Sequence, residues 1–251
     1  MTTSPETETP VPGAPRRAAA SRRGLLRTAV GGAAAVTAGA WALDSPDAAA
    51  VPRRRPRPAT PHEALRELSA GNRRWQVLRE RHPHETRAVR DALVSGQHPF
   101  AVVLGCIDSR VPPELVFDQG LGDLITVRSA GEVLDEAVLG SVAYGVLELD
   151  IPLVMVLGHQ ACGAVTAAVH ADETGATLPA HIRFVADQIK PVIDHSLEGA
   201  ARVDAAITAQ IRLVRARLAA EPDLSARIAT GRLGVVGARY ELTSQAVHLI
   251  R

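Results

Sequence analysis

Short continuous apolar runs alternate along this chain with longer stretches in which apolar residues recur every three or four positions. The runs at 100–105 (FAVVLG), 124–127 (LITV), 153–158 (LVMVLG) and 233–239 (LGVVGAR) have the length of buried strands. The segments between them read as helices, at roughly 113–117, 135–149, 162–171, 178–193 and 202–219. This alternation predicts an α/β fold: a mostly parallel central sheet of four to five strands, flanked by helices. Two more helices are predicted ahead of the first strand. One spans 62–80, with Thr60-Pro61 as cap and first turn and Leu65, Leu68, Trp75 and Leu78 as its apolar stripe. It has no strand of its own and reads as an N-terminal arm, expected to pack on a neighbouring subunit or across the sheet's edge. The other runs from about 85 to 94 and stops at Ser95-Gly96.

The first fifty residues differ in kind. After a Pro, Thr, Glu and Ala-rich start come Ser21-Arg22-Arg23-Gly24-Leu25-Leu26-Arg27, an Ala/Gly-rich apolar run to Leu43, and Ala48-Ala49-Ala50. Basic, apolar and small residues in that order make an export signal, and the paired arginines before Leu-Leu point to the twin-arginine route. The apolar run is too short and too Gly-rich to stay in a bilayer once the signal is removed. The expected product lies on the periplasmic or extracellular side. Residues 51–60 (VPRRRPRPAT) read as a linker, and 61–251 as a single domain.

Composition excludes some partners. The chain is 46% hydrophobic and 22% charged, enough to bury a core. Five of its 28 basic and four of its 27 acidic residues lie in 1–50, so the remainder holds 23 of each sign. A neutral body offers no attraction to nucleic acid or to an anionic membrane surface.

Both cysteines follow predicted strands, in Cys106-Ile107-Asp108-Ser109-Arg110 and His159-Gln160-Ala161-Cys162. Loops at the same end of adjacent parallel strands bring side chains together. Cys106, His159 and Cys162 then make three ligands with a fourth position free, the pattern of a catalytic zinc site. Asp108 can reach the same metal, and Arg110 can take that carboxylate in a bidentate pair and free the position. Cys162, at the start of a helix, gains from backbone N–H groups that favour thiolate. Two cysteines in an exported protein also fit a disulfide, and Asp108 with Arg110 fits a plain ion pair. The other histidines, His62, His82, His84, His98, His170, His181, His195 and His248, lack a cysteine at ligand spacing and read as surface or packing residues.

CIDSR followed by HQACG resembles the β-class carbonic anhydrases, whose pattern is C-x-D-x-R and H-x-x-C. Ala70-Gly71-Asn72-Arg73-Arg74-Trp75, Val111-Pro112, Arg128-Ser129-Ala130-Gly131 and the segment from Val235 to Leu242 also have counterparts there. The resemblance spans about residues 61–251. It implies one Zn2+ per subunit on Cys106, His159 and Cys162. Asp108 would be fourth ligand in a closed state and the partner of Arg110 in an open one. It also implies that Gln97, Ile125, Ala130, Tyr144 and the backbone N–H of Gly163 face the substrate. Ser129 departs from the usual Asn. Val103 stands where some members with a second, inhibitory bicarbonate site carry tryptophan, which argues against that site here. The family pairs as dimers, which assemble further in some members.

The activity implied is reversible hydration of carbon dioxide to bicarbonate and a proton by a zinc-bound hydroxide, favoured at neutral to alkaline pH. Two alternatives stand beside it. The same site fits hydrolysis of carbon disulfide or carbonyl sulfide, and a non-catalytic exported domain fits a structural metal or a disulfide.

Overall fold

The computed structural model describes residues 57–251; the expected export signal and most of the expected linker lie outside the described residues. Helices α1 (Pro61–Gln76) and α2 (Arg87–Leu93) precede strand β1 (Ala101–Gly105). Helix α3 (Pro113–Val116), strand β2 (Leu124–Arg128) and a 3-10 turn (Ala130–Glu132) come next. Helix α4 (Glu136–Leu147), strand β3 (Leu153–His159), and helices α5 (Gly163–Thr174) and α6 (Ala180–Ile189) follow. The chain closes with α7 (Gly199–Ala220), α8 (Pro222–Ala229), β4 (Gly234–Tyr240) and β5 (Val247–Ile250).

The sheet order is β2-β1-β3-β4-β5, parallel throughout except for antiparallel β5 at one edge. β1 and β3 sit inside the sheet and are buried at every position, which is why they read as unbroken apolar runs. Alternate residues serve opposite faces. Val102, Leu104, Val154 and Val156 face one core with α4, α5, α7 and α8; Ala101, Val103, Leu153, Met155 and Leu157 face the other with α1 and α3.

Two elements have no counterpart among those read from the sequence. α8 is one short amphipathic stretch after a long helix. β5 carries two exposed residues among its four, His248 and Leu249, so no apolar run marks it.

Within the chain, the N-terminal helix packs against the sheet. The Thr60 hydroxyl accepts a hydrogen bond from Glu63 N (3.2 Å) and Pro61 fills the first turn, as expected. α1 ends at Gln76, and Leu78 beyond it is exposed. Its buried face is Ala64, Leu68, Gly71 and Asn72, seated on its own sheet. The Asn72 amide donates to the carbonyls of Val116 (3.2 Å) and Gln245 (3.0 Å) and accepts from Val247 N (2.9 Å). Trp75 Nε1 donates to the Tyr240 hydroxyl at 3.0 Å. A Cβ at Gly71 would lie 1.7 Å from the Phe117 carbonyl oxygen, so only glycine lets the helix approach this closely.

Candidate metal centre

The centre forms where the strand order reverses. β1 has β2 on one side and β3 on the other, and loops leaving the carboxyl ends of such neighbouring strands open a crevice. Gly105 is in register with Leu157, so Cys106, one step beyond β1, meets the last residues of β3. His159 ends that strand. A tight turn, with Ala161 at a left-handed φ of 53°, then delivers Cys162 to the N-cap position of α5. Gln160 N anchors the turn on the Tyr240 carbonyl at 2.8 Å.

Cys106 Sγ, a ring nitrogen of His159 and Cys162 Sγ all lie within 4.8 Å of one another, and all three residues are buried. Both cysteines are free thiols with sulfurs 3.9 Å apart, so the disulfide reading does not hold. Two thiolates on one tetrahedral zinc at about 2.3 Å each stand roughly 3.8 Å apart, a close fit to that separation. His159 Nδ1–H donates to the Gln160 carbonyl at 2.9 Å, which turns Nε2 into the cluster as a bare lone pair. That nitrogen is buried without a hydrogen-bond partner among the described residues. An orphaned acceptor facing two sulfurs is the state a metal ion relieves.

Electrostatics points the same way. The hydrogen bond with Cys162 brings the Cys106 thiol down to about 4, while the same bond and burial push the Cys162 thiol up. A second thiolate beside the first therefore needs positive charge close by. Burial works against a charged His159 ring, but the neighbouring Cys106 thiolate outweighs it and raises its pKa. A dication answers both demands. Gly131 N–H adds a bond to Cys106 Sγ at 3.4 Å.

Asp108 is held away from the cluster. Its Oδ1 accepts from Arg110 N and Nε, each at 2.9 Å, and its Oδ2 from Arg110 Nη2 at 2.7 Å. The side-chain bond from Arg110 holds its carboxyl down to about 2. Oδ2 stays 3.9 Å from His159 Nε2, so Asp108 borders the fourth position without filling it. This is the open arrangement, not the closed one in which Asp108 is a ligand. Arg110 Nη2 also reaches the Ala161 carbonyl (3.3 Å) and ties the two loops together.

Some supporting residues were given no role of their own by the sequence. Arg128 donates to the carbonyls of Cys106 (2.8 Å) and Asp108 (2.6 Å), fixing the first loop from the end of β2. Glu132 is buried behind the cluster, and burial, then the Cys106 charge, raise its pKa well above the ordinary carboxylate value. Gln210 of α7 donates to the Gly131 carbonyl at 3.2 Å and braces the turn that carries Glu132.

A cavity of about 480 Å³ opens from Cys106 and Asp108. Ala130 and Gly163 line it, as expected of substrate-facing positions. Ile107, Ala164, Ala167, His181, Ile182, Val185 and Ala186 complete its wall, and the sequence reading gave none of them a role at the site. Three expected substrate residues are elsewhere within the chain. Gln97 is exposed and precedes β1, whereas Cys106 follows it, and Gln97 is not among the residues lining the cavity. Ile125 and Tyr144 share a shallow groove along β2 and α4, outside the cavity, with Tyr144 exposed. β2 is an edge strand, so its outward groove faces away from the cluster at the end of β1.

The carbonic anhydrase family model matches residues 101–247. Carbonic anhydrase 2 of Mycobacterium tuberculosis is 43% identical over 184 residues, covering 72% of this chain and 89% of that protein. The carbonic anhydrase of Mycolicibacterium smegmatis is 38% identical over 193 residues, covering 76% and 94%. A structure from work on two tetrameric β-carbonic anhydrases of Sordaria macrospora shares the fold, with a TM-score of 0.61, 21% identity, and coverage of 75% of this chain and 95% of its own. Sequence match, fold and cluster geometry agree: the chain belongs to the β-class carbonic anhydrase family.

Proposed function

We propose that the chain hydrates carbon dioxide reversibly to bicarbonate and a proton, with one zinc per subunit held by Cys106, His159 and Cys162. The observation that carries this reading is the buried, unpartnered His159 Nε2 facing two free thiols, with Asp108 drawn off the fourth position by Arg110. Zinc bound there would supply Lewis acidity that turns a water into a nucleophile near neutral pH. The protein's own groups do the rest. Arg110 fixes Asp108, and the free edge of that carboxylate orients the incoming water by accepting its hydrogen bond. The apolar wall of Ile107, Ala130 and Ala164 suits a small apolar molecule, and the Gly163 N–H at the start of α5 faces the same space. Carbon disulfide and carbonyl sulfide hydrolysis find no support in the relatives, which carry carbonic anhydrase names.

The test is zinc stoichiometry measured beside stopped-flow carbon dioxide hydration across pH. One zinc per chain and activity rising from about pH 6 to 9 are expected. The sign follows from charge: two thiolates neutralise the dication, so the nucleophile forms only as protons become scarce. Metal-free active protein, or a flat profile, overturns the reading.

Gln97, Ile125 and Tyr144 enter this reading through assembly. The edge of β2 and its groove are unpaired among the described residues, and such an edge needs a cover. A homodimer, or a dimer of dimers as in a tetramer, brings these residues to the site of the second copy. Sedimentation of the same preparation as a monomer at micromolar concentration counts against it. We also propose export by the twin-arginine route, which carries proteins already folded with their metal. A reporter fused to residues 1–50 should leave the cytoplasm with its arginines intact and stay inside when Arg22 and Arg23 are changed to lysine; equal export of both ends the idea. No helix among the described residues is long and apolar enough to cross a membrane.

A further inference from the structure

We propose that His181 carries the proton of the hydration reaction from the cavity to bulk solvent; the inference rests on the carbonic anhydrase reading above. In the reaction, water oxygen forms a bond to carbon and one C=O electron pair moves onto oxygen. The products are bicarbonate and one proton, so every turnover has a proton to export. The cavity beside the cluster decides where it can go. Of the described side chains of this chain that line it, only Cys106, Asp108 and His181 ionise. Cys106 belongs to the metal cluster. Asp108 is paired through both oxygens with Arg110, which fixes it in place as an acceptor for the incoming water rather than as a group that moves a proton out to solvent. The parts of α5 and of the 3-10 turn that face this space, Gly163, Ala164, Ala167 and Ala130, carry no ionisable group.

His181 is the second residue of α6, and its ring makes no hydrogen bond or ion pair among the described residues. It is exposed while lining the cavity, so one ring meets both the enclosed space and the solvent. Histidine is the residue type that takes and gives protons near neutral pH. A rounded space of 480 Å³ is roughly 10 Å across, a distance bridged by two or three hydrogen-bonded waters of about 30 Å³ each. Among the described residues of the same chain, the apolar remainder of the wall, including Ile182 and Val185 on the same helix, gives such a water chain no other side chain to end on.

The test uses the zinc-loaded full chain and its His181→Ala variant. In dilute buffer the variant should lose about 10²-fold in kcat with kcat/KM unchanged, the span that a positioned acid–base group contributes. High concentrations of imidazole buffer should restore kcat. A readout independent of turnover is the ring resonance of His181, identified by its loss in the variant, which should shift when bicarbonate fills the site. An unchanged kcat in dilute buffer overturns the relay. So does an equal fall in kcat and kcat/KM that imidazole leaves in place, and so does a ring signal that ignores bicarbonate. A wild-type chain with zinc but no hydration activity sinks the enzyme reading first, and a wild-type chain that is active beside an unimpaired variant sinks only the relay.

Discussion

Cys162→Ser is expected to abolish zinc binding and carbon dioxide hydration together, lowering activity by roughly 10³-fold or more, because no other group here can generate the nucleophile. The substitution exchanges one atom at a buried N-cap, so the fold should persist. Serine is in fact the better cap for α5, since its oxygen accepts hydrogen bonds from backbone N–H groups more strongly than sulfur does. His159→Ala should behave alike, and there the gain of an unfilled buried space adds a loss of stability. Metal analysis, circular dichroism and stopped-flow assays on the same samples check this. Full activity in a variant that holds no zinc would remove the metal from the mechanism.

Asp108→Ala is expected to separate binding from turnover. The three ligand atoms stay in place without the carboxylate, so zinc should remain near one per chain. The incoming water loses its acceptor and Arg110 loses its anchor, and kcat/KM should fall by about 10²-fold, the scale set by misplacing a reacting group by an ångström. Loss of metal in this variant would instead mean that Asp108 is a ligand in solution. The pH dependence carries a second check. Arg110 depresses the Asp108 pKa to about 2, below the ordinary carboxylate value. A depressed carboxylate contributes its stabilisation fully above the unfolded value near 4, and loses it only as pH falls toward 2. The wild-type profile between about pH 5 and 9 should therefore carry no inflection from Asp108, and one that vanished in Asp108→Ala would contradict the assignment.

The amino-acid sequence by itself determined the layered architecture and the three residues of the candidate metal centre, because both are written locally. A strand buried on both faces must be an unbroken apolar run, and 153–158 needs no partner to be recognised as one. The two ligand motifs sit immediately after such runs, so the topology rule for parallel sheets carries them to one crevice. What only the tertiary structure decided depends on partners far apart in the chain. The orientation of Asp108 toward Arg110, and the unpaired Nε2 of His159, are facts of three-dimensional contact. The Gly71 approach to Phe117 seats the N-terminal helix against the body of its own chain. Gln97, Ile125 and Tyr144 bear the right residue types for a substrate wall, yet strand length and edge position keep them from this chain's own cluster. His181 shows the converse: with no motif around it, it read as a surface residue until α6 was laid across the mouth of the cavity. Periodicity and spacing report the element a residue belongs to; which empty space its side chain meets is set by the packing of elements that the local sequence does not encode.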